Sequence, residues 1–295
     1  MVTGRKFNSL EPRFKVRLRT KNFTVKPMRA ELLPVRFRTV VRFGSTTSTK
    51  KIFPKYFETK KIIEINTVDA IENSRSKLRM KDCFLKAGVP QSNWWVCTGK
   101  KPIEFLNLST GKEKQICTEQ QLPYPILAKR EFGFKGHGMH KFDTPEELVN
   151  WLSKNSLEGY YFEQFMNYSR EYRLHCTKDG CFYTCRKMLK EDAEDRYYRN
   201  DSNCVWFVEE NAKFDKPVNW KNIESDCVKA LQEVGLTLGA FDVKIQSSED
   251  GKGRKRENPN YIIIEVNSAP AFGDGTLQKY TEVINKIINE INGKI

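Results

Sequence analysis

The sequence has no long hydrophobic run. No apolar stretch among its 295 residues approaches the roughly 18 that a membrane-spanning helix needs. The N-terminal stretch MVTGRKFNSLEPRF carries basic side chains with no apolar stretch behind them, so we expect no secretory signal. Hydrophobic residues make up 39% of the chain, which is normal for a soluble globular protein. We therefore expect a globular protein of the cytoplasm that has no membrane partner.

Zinc-site spacing is also missing from the eight cysteines. Three of them, Cys176, Cys181 and Cys185, lie close together in CTKDGCFYTC, but only His175 stands beside them and no second cysteine pair follows. A structural zinc site needs four ligands at closer spacing. We predict reduced thiols, as is usual for cytosolic proteins.

Acidic residues are scarce at the start of the chain. Residues 1–61 contain 17 Lys and Arg but only three acids, Glu11, Glu31 and Glu58, whereas the rest of the chain contains 34 of each sign. The whole net charge of +14 therefore lies in the first fifth of the sequence. Two interpretations stay open: a solvated basic arm with no specific partner, or a surface that attracts a polyanion such as nucleic acid or an acidic peptide.

The chain has no internal repeat, and its predicted strands and helices alternate in groups. The stretch NTVDAIENSRSKLRMKDCFLKAGVP predicts a helix, since its apolar residues form an approximate stripe. Thr144 and Pro145 predict a capped helix start, and Gly235 predicts a helix end. This mixture favours an α+β or mixed α/β fold.

A glycine-rich turn follows a predicted strand in ILAKREFGFKGHGM. The strand ends at Lys129, and Gly133, Gly136 and Gly138 follow within nine residues. Glycines let main-chain N–H groups approach an anion, and a lysine adds a point charge. Both flanks look like strands, so this is a flexible flap and not a Walker A loop, which opens a helix. An ordinary glycine-rich hairpin also accounts for the stretch when it is taken alone.

Two acidic residues interrupt predicted strands that are otherwise apolar. Asp242 lies in GAFDVKI, and Glu265 lies in YIIIEVNSAP with Asn267 two residues later, on the same strand face. A buried carboxylate is costly without a partner. Two carboxylates and an amide on adjacent strands suit Mg²⁺, although pairing with Lys or Arg would account for either acid alone.

In chain order, the Lys129 strand, the glycine-rich turn, FEQFM, REYRLH, RK, GAFDVKI and IIIEVNSAP resemble the ATP-grasp superfamily. The resemblance is closest to glutamate-ligase-like (ribosomal-protein modification type) and phage-encoded members, and it covers roughly residues 66–295. It implies an ATP-grasp fold of two α+β subdomains that grip ATP: residues 119–165 with a glycine-rich lid and residues 166–295 with the metal ligands. A basic N-terminal α/β domain, residues 1–118, would precede them and bind the substrate. A phage-encoded member would work in the host cytoplasm.

The resemblance also implies roles for single residues. Lys129 would contact the α- and β-phosphates, and the glycines of the turn would close over them. Residues 163–166 of FEQFM would form the hinge whose main chain binds adenine, and Glu171 would lie near the ribose. The implied nucleotide-binding residues are Lys77, Lys129, Gly133, Gly136, Gly138, Glu163, Gln164, Phe165, Met166 and Glu171.

The resemblance also implies that Arg186 or Lys187 lies near the transferred phosphate, and that Arg199 and Asn200 touch the nucleotide or the acyl phosphate. Two Mg²⁺ ions would be held by Asp242, Glu265 and Asn267.

The activity that the resemblance implies is ATP-dependent ligation of a carboxylate to an amine through an acyl phosphate. The basic residues 1–61 favour an acidic peptide, protein or nucleic acid as acceptor. Two alternatives stay open: a kinase-like phosphotransferase on the same fold, and a nucleic-acid- or virion-binding protein with a vestigial ATP site. His137 in the lid and NCVWF after Asn200 depart from the family pattern, which leaves the acceptor undefined.

Overall fold

The structure is a computed structural model. It describes residues 2–4, 18–19, 24–25, 39–46, 63–99, 103–111, 115–133, 136–194, 196–200, 202–270 and 274–292. Most of the basic segment 1–61 lies outside these residues, so both interpretations of its charge stay open.

Strands and helices are mixed throughout, which confirms the predicted α+β class. The strands are β1 (Val2–Gly4), β2 (Leu18–Arg19), β3 (Thr24–Val25), β4 (Thr39–Phe43), β5 (Ile63–Ile65), β6 (Trp94–Cys97), β7 (Glu104–Asn107), β8 (Gln115–Thr118), β9 (Ile126–Arg130), β10 (His140–Phe142), β11 (Tyr160–Gln164), β12 (Arg170–Thr177), β13 (Gly180–Leu189), β14 (Cys204–Val208), β15 (Leu238–Ile245) and β16 (Tyr261–Asn267). The helices are α1 (Val68–Arg75), α2 (Lys77–Lys86), α3 (Pro145–Lys154), α4 (Trp220–Val234) and α5 (Asp274–Asn292). None of the helices in the described ranges is long and apolar enough to span a membrane.

The two larger sheets are antiparallel. One has the strand order β10-β9-β11-β6-β7-β8, and the other has the order β14-β13-β12-β15-β16. The first buries its apolar side chains with Leu148 of α3, and the second packs against α2 and α4. The predicted boundary at residue 118 stays a prediction, but the sheet that carries the glycine-rich turn already begins at Trp94.

A parallel sheet, β1-β4-β5, packs with α5 on a separate core. The buried Asn66 joins this sheet to β15. Its Oδ1 accepts from the main-chain N–H groups of Thr237 (2.8 Å) and Leu238 (3.1 Å), and its Nδ2 donates to the Leu238 carbonyl (3.0 Å). A buried amide with these bonds is satisfied, so it fixes where β15 starts relative to β5.

Local signals explain several helix boundaries. Thr144 accepts from the N–H of Glu147, and Gly235 ends α4 with φ +84°, as predicted. The prediction of a single helix in the stretch before residue 90 is wrong in one respect, because the structure has two helices there, separated at Ser76. The Ser76 hydroxyl accepts from the N–H of Arg79 and thereby caps α2 while α1 ends.

The thiol prediction is also wrong for one pair. Cys176 and Cys181 face each other across the β12–β13 hairpin and form a disulfide. The spacing of five residues is what a tight hairpin needs to bring two side chains together, and the sequence pattern alone did not show that register. Cys185, on the same strand as Cys181, is a buried free thiol.

Candidate active site

A cleft of about 480 Å³ lies between the two large sheets. One wall comes from β9 and β11, and the other comes from β12, β13, β15 and β16. The charged side chains that line it include twice as many basic as acidic groups: Arg75, Lys77, Lys129, Arg130, Arg173, Lys187, Arg199 and Lys244, with Glu163, Glu171, Asp242 and Glu265. Counted over the described residues, the cleft lining therefore has an excess of four positive charges, which attracts a polyanion.

Glu163 accepts hydrogen bonds from four side chains deep in the first wall. Lys129 Nζ lies 2.8 Å from Oε2 and Lys81 Nζ lies 3.1 Å from Oε1, while the hydroxyls of Tyr161 and Ser92 also donate to this carboxylate. Burial alone would raise the pKa of Glu163, but the two lysines outweigh it and hold that pKa well below its usual range. Glu163 is thus a buried anion whose charge fixes the position of Lys129.

Asp242 is the corresponding anion on the second wall. Arg173 holds it through two bonds, Nε to Oδ1 at 2.7 Å and Nη2 to Oδ2 at 2.9 Å, and Lys187 Nζ lies 2.6 Å from Oδ2. Lys187 also donates to Glu171 (3.0 Å), which Arg199 contacts at 3.4 Å. Burial opposes ionisation of Asp242, but Arg173 and Lys187 lower its pKa below the usual carboxyl range. These five side chains form a connected network of alternating charge.

Glu265 stands opposite Asp242 in the pairing of β15 with β16. Its Oε2 accepts from Lys77 Nζ at 2.7 Å, and its Oε1 accepts from Asn267 Nδ2 at 3.1 Å. Lys77 lies at the start of α2 and reaches the strand across the mouth of the cleft. Burial would raise the pKa of Glu265, and Lys77 more than offsets it.

The glycine-rich turn between β9 and β10 packs against the segment that precedes Arg199. Gly136 has φ +79°, and a Cβ built on it would lie 2.9 Å from the ring of Tyr198. Both the left-handed conformation and the close ring favour glycine at this position. The neighbouring His137 also lines the cleft.

Comparisons with solved structures identify the architecture. The ATP-grasp ligase PsnB, solved with a minimal precursor, is 14% identical and superposes with a TM-score of 0.55 over 93% of this chain and 92% of its own. The D-alanine–D-alanine ligase from Bacillus anthracis in complex with ATP is 13% identical, with a TM-score of 0.57 over 92% and 85%. The chain has the ATP-grasp fold.

A third solved structure matches over a smaller share of its own chain. The chain spans about half the length of N5-carboxyaminoimidazole synthase from Aspergillus clavatus, solved with ADP and 5-aminoimidazole ribonucleotide. That match has 13% identity and a TM-score of 0.50 over 78% of this chain and 53% of the synthase. No protein-family model and no curated protein matches the sequence.

The ATP-grasp cleft contains most of the residues predicted from the sequence. Those that line it are Lys77, Lys129, Gly133, Gly136, Glu163, Gln164, Phe165, Met166, Glu171, Lys187, Arg199, Asp242, Glu265 and Asn267. Their roles in binding and chemistry stay predictions.

Arg186 and Gly138 lie outside the cleft lining. Successive side chains of a strand point to opposite faces, so β13 directs Lys187 into the cleft and Arg186 away from it. Arg186 donates to the Lys213 carbonyl (2.8 Å) and lies 3.5 Å from Asp215. Of the two basic residues that the sequence left open, the geometry therefore favours Lys187. Gly138 packs beside Arg130 and the Tyr160 hydroxyl.

The predicted hinge between the walls has mixed roles. Glu163 was expected to act through its main chain, but its side chain is the centre of the lysine cluster described above. The N–H groups of Gln164 and Phe165 donate to the carbonyls of Asn93 and Pro125, both at 2.9 Å. Met166 lines the cleft beyond them, where the chain passes from one wall to the other.

A magnesium site at Asp242, Glu265 and Asn267 is compatible with the donors present. Within the described residues no cluster of three or more His, Cys, Asp and Glu side chains could hold a metal ion, so a cation here would need the amide oxygen as well as the two carboxylates. Carboxylate and amide oxygens are the hard donors that Mg²⁺ prefers. Both acids are already ion-paired, so metal binding has to compete with Lys77, Lys187 and Arg173.

Several cleft residues were not predicted from the sequence, among them Arg173, Tyr198, Trp206 and Lys244. For two of these residues, the spacing in the sequence could have predicted a position in the cleft. Arg173 follows Glu171 by two residues, and Lys244 follows Asp242 by two, so each shares a strand face with a predicted site residue. Trp206 carried no such signal, because its position depends on how β14 pairs with β13.

We expect Gly136→Ala to release the glycine-rich turn from Tyr198. An alanine in this left-handed conformation costs about 1–2 kcal/mol, which is roughly a 5- to 30-fold shift toward an open turn. Limited proteolysis between residues 130 and 141 should accelerate accordingly. Gly159→Ala is the matched control, because Gly159 has φ +71° but no atom within 4 Å of its built Cβ. Equal cleavage at 130–141 in both variants would contradict a specific Gly136–Tyr198 contact.

Proposed function

We propose that the protein is an ATP-dependent carboxylate–amine ligase that forms an amide or peptide bond through an acyl phosphate. The observation that carries this proposal is the excess of four positive charges in the cleft, arranged around two carboxylates on neighbouring strands. In the ATP-grasp fold, a solved D-alanine–D-alanine ligase holds ATP, and a solved PsnB complex holds Mg and ADP.

The cations of the cleft are suited to bind a triphosphate. Lys77, Lys129 and Lys187 each hold a carboxylate at 2.6–3.0 Å. A triphosphate offers them a second anion, and a lysine ammonium has three donors, so one group can keep its carboxylate and contact phosphate. The base would lie at the other end of the cleft, against the main chain of residues 164–166.

The proposed reaction has two steps, formation of the acyl phosphate and then of the amide. An oxygen of the substrate carboxylate attacks the γ-phosphorus of ATP, the bond to the β-phosphate oxygen breaks, and ADP leaves. The substrate amine then attacks the acyl carbon of the acyl phosphate, the carbon–oxygen bond to phosphate breaks, and the nitrogen loses a proton. The products are the amide, ADP and inorganic phosphate.

The contribution of the protein is positioning and charge neutralisation. Lys129 and Lys187, fixed by Glu163 and by Asp242 with Glu171, offset charge on the phosphoryl group as it is transferred. Asp242, Glu265 and Asn267 would hold two Mg²⁺ ions, whose positive charge would offset the negative charge of the phosphates. The described parts of the glycine-rich turn, residues 131–133 and 136–139, would exclude water, which hydrolyses an acyl phosphate.

For the acceptor, we propose an acidic peptide, protein or nucleic acid that residues 1–61 recruit. The support is the net charge of +14 that this segment carries. Contacts between lysine or arginine and phosphate weaken steeply with ionic strength. Acceptor consumption that does not change with salt would therefore count against a polyanionic acceptor.

The decisive measurement is Mg²⁺-dependent release of ADP in the presence of cell extract, with mass spectrometry of the products. A ligase gives equal amounts of ADP and phosphate and a product lighter than its two substrates by one water. A phosphorylated product without free phosphate would favour the kinase-like alternative. No ADP release and no ATP binding would leave the vestigial-site alternative standing and refute the ligase.

A further inference from the structure

Lys244 differs from the other buried lysines of the cleft. Lys129 and Lys187 each contact a carboxylate, whereas Lys244 makes no ion pair among the residues that the structure describes. Within the described ranges its one hydrogen bond is to the Tyr197 carbonyl, at a long 3.5 Å. An ammonium group has three donors, so most of its hydrogen-bonding capacity is left for a ligand.

The ammonium group of Lys244 lies at the hinge end of the cleft. Its Nζ is 4.9 Å from the centre of the Phe165 ring, and Phe165 belongs to the segment that joins the two walls. On β15, Lys244 follows Asp242 by two residues and faces the same cleft, with Ile262 opposite it on β16. Lys244 is therefore displaced from the Asp242 carboxylate by two residues of the strand, on the side of the segment that joins the two walls.

Burying an ammonium group with so few partners is unfavourable. Only 8% of Lys244 is exposed, so water supplies few of the partners that the ammonium group needs. A neutral acceptor in the cleft would supply the missing hydrogen bond. The face of Phe165 holds the group in place through a cation–π contact.

We infer that Lys244 is a specificity-determining residue that donates a hydrogen bond to a ring nitrogen of the purine base. The inference rests on the proposed function, since it assigns the base to the Phe165 end of the cleft and the phosphates to the Asp242–Glu265 end. A phosphate-contacting lysine would act on any polyphosphate, whereas Lys244 acts on the nucleoside alone.

The test compares the binding of Mg-ATP and of inorganic Mg-tripolyphosphate to the full chain by calorimetry. Lys244→Met keeps the length of the side chain and removes the ammonium, which should weaken ATP binding about 10-fold or more and leave tripolyphosphate binding unchanged. Lys141→Met is the matched control, because Lys141 Nζ lies over the same ring at 5.5 Å but does not line the cleft. It should change neither affinity. Urea unfolding should show that both variants are folded.

Two analogues then locate the contact. Wild-type protein should bind 3-deaza-ATP or 7-deaza-ATP about 10-fold more weakly than ATP, and Lys244→Met should lose that discrimination. An equal loss of ATP and tripolyphosphate affinity, or deaza discrimination that persists in the variant, would overturn the inference. Failure of the wild-type protein to bind ATP at all would refute the proposed function instead.

Discussion

Replacing Glu163 by alanine is expected to lower the free energy of unfolding by about 3–5 kcal/mol, the cost of breaking a buried ion pair. The substitution leaves the ammonium groups of Lys81 and Lys129 buried without their carboxylate. Lys81 has no exposed side-chain surface, and burial already lowers its pKa despite Glu163. Urea unfolding at neutral pH measures the loss.

Two controls separate the buried charge from general effects of removing an acid. Glu209→Ala removes a half-exposed partner of Lys216 and should cost about 1 kcal/mol or less. Replacing Glu163 by leucine and Lys81 by methionine together should recover part of the stability, because an apolar pair avoids the unpaired ammonium. Equal losses in Glu163→Ala and Glu209→Ala would contradict the role of Glu163.

We expect the contribution of Glu163 to the free energy of unfolding to increase with pH. Because the pKa of Glu163 is lower in the folded protein, its contribution is fully present above the ordinary carboxyl range and is lost only as the pH falls toward the lowered value. Glu163→Ala should therefore differ most from the wild type near neutral pH, and the difference should shrink in strong acid.

The sequence predicted the elements of this molecule better than their contacts. Strand alternation, the caps at Thr144 and Gly235, and the ordered motifs led to the α+β class and the ATP-grasp fold. These signals are local, or depend on the order of motifs along the chain. The break at Ser76 was not predicted, because a serine within an apolar stripe can either continue a helix or cap the next one.

The pairing of charges could not be predicted, since it depends on how strands from different parts of the chain align. Glu163 looked like a hinge residue, yet the register of β9 with β11 brings it to Lys129, and the position of α2 adds Lys81. Asp242 and Glu265 were expected to face metal ions, with pairing to Lys or Arg as the alternative for either acid alone. In the structure they face Arg173, Lys187 and Lys77.

The ion pairs of Asp242 and Glu265 bear on function because of where they lie. An acid held by a guanidinium in a closed core would be structural, but Asp242 and Glu265 lie at the wall of a cleft with excess positive charge. Their partners are themselves groups that bind phosphate. Under the proposed function, these ion pairs would keep both signs of charge in place until ATP and its Mg²⁺ ions bind together.

Glu265→Gln is expected to lower Mg²⁺-dependent ATP turnover about 100-fold or more, because the amide removes a negative charge from the cation site. The fold should survive, since Lys77 lies at the mouth of the cleft with 17% of its side chain exposed. Asp242→Asn should lose turnover to a similar extent with a larger cost in stability, because Arg173 and Lys187 then lose a buried partner. Rates of ADP release at several Mg²⁺ concentrations, with unfolding curves, measure both effects.

Asp215→Asn provides the matched control. Asp215 also contacts two arginines, Arg170 (3.3 Å) and Arg186 (3.5 Å), but it lies away from the cleft and should leave turnover unchanged. If Glu265 binds the metal, Glu265→Gln needs more Mg²⁺ for half-maximal turnover, which loss of an ordinary ion pair would not cause. Full turnover in this variant, or a loss with an unchanged Mg²⁺ requirement, would contradict the assignment of Glu265 as a metal ligand.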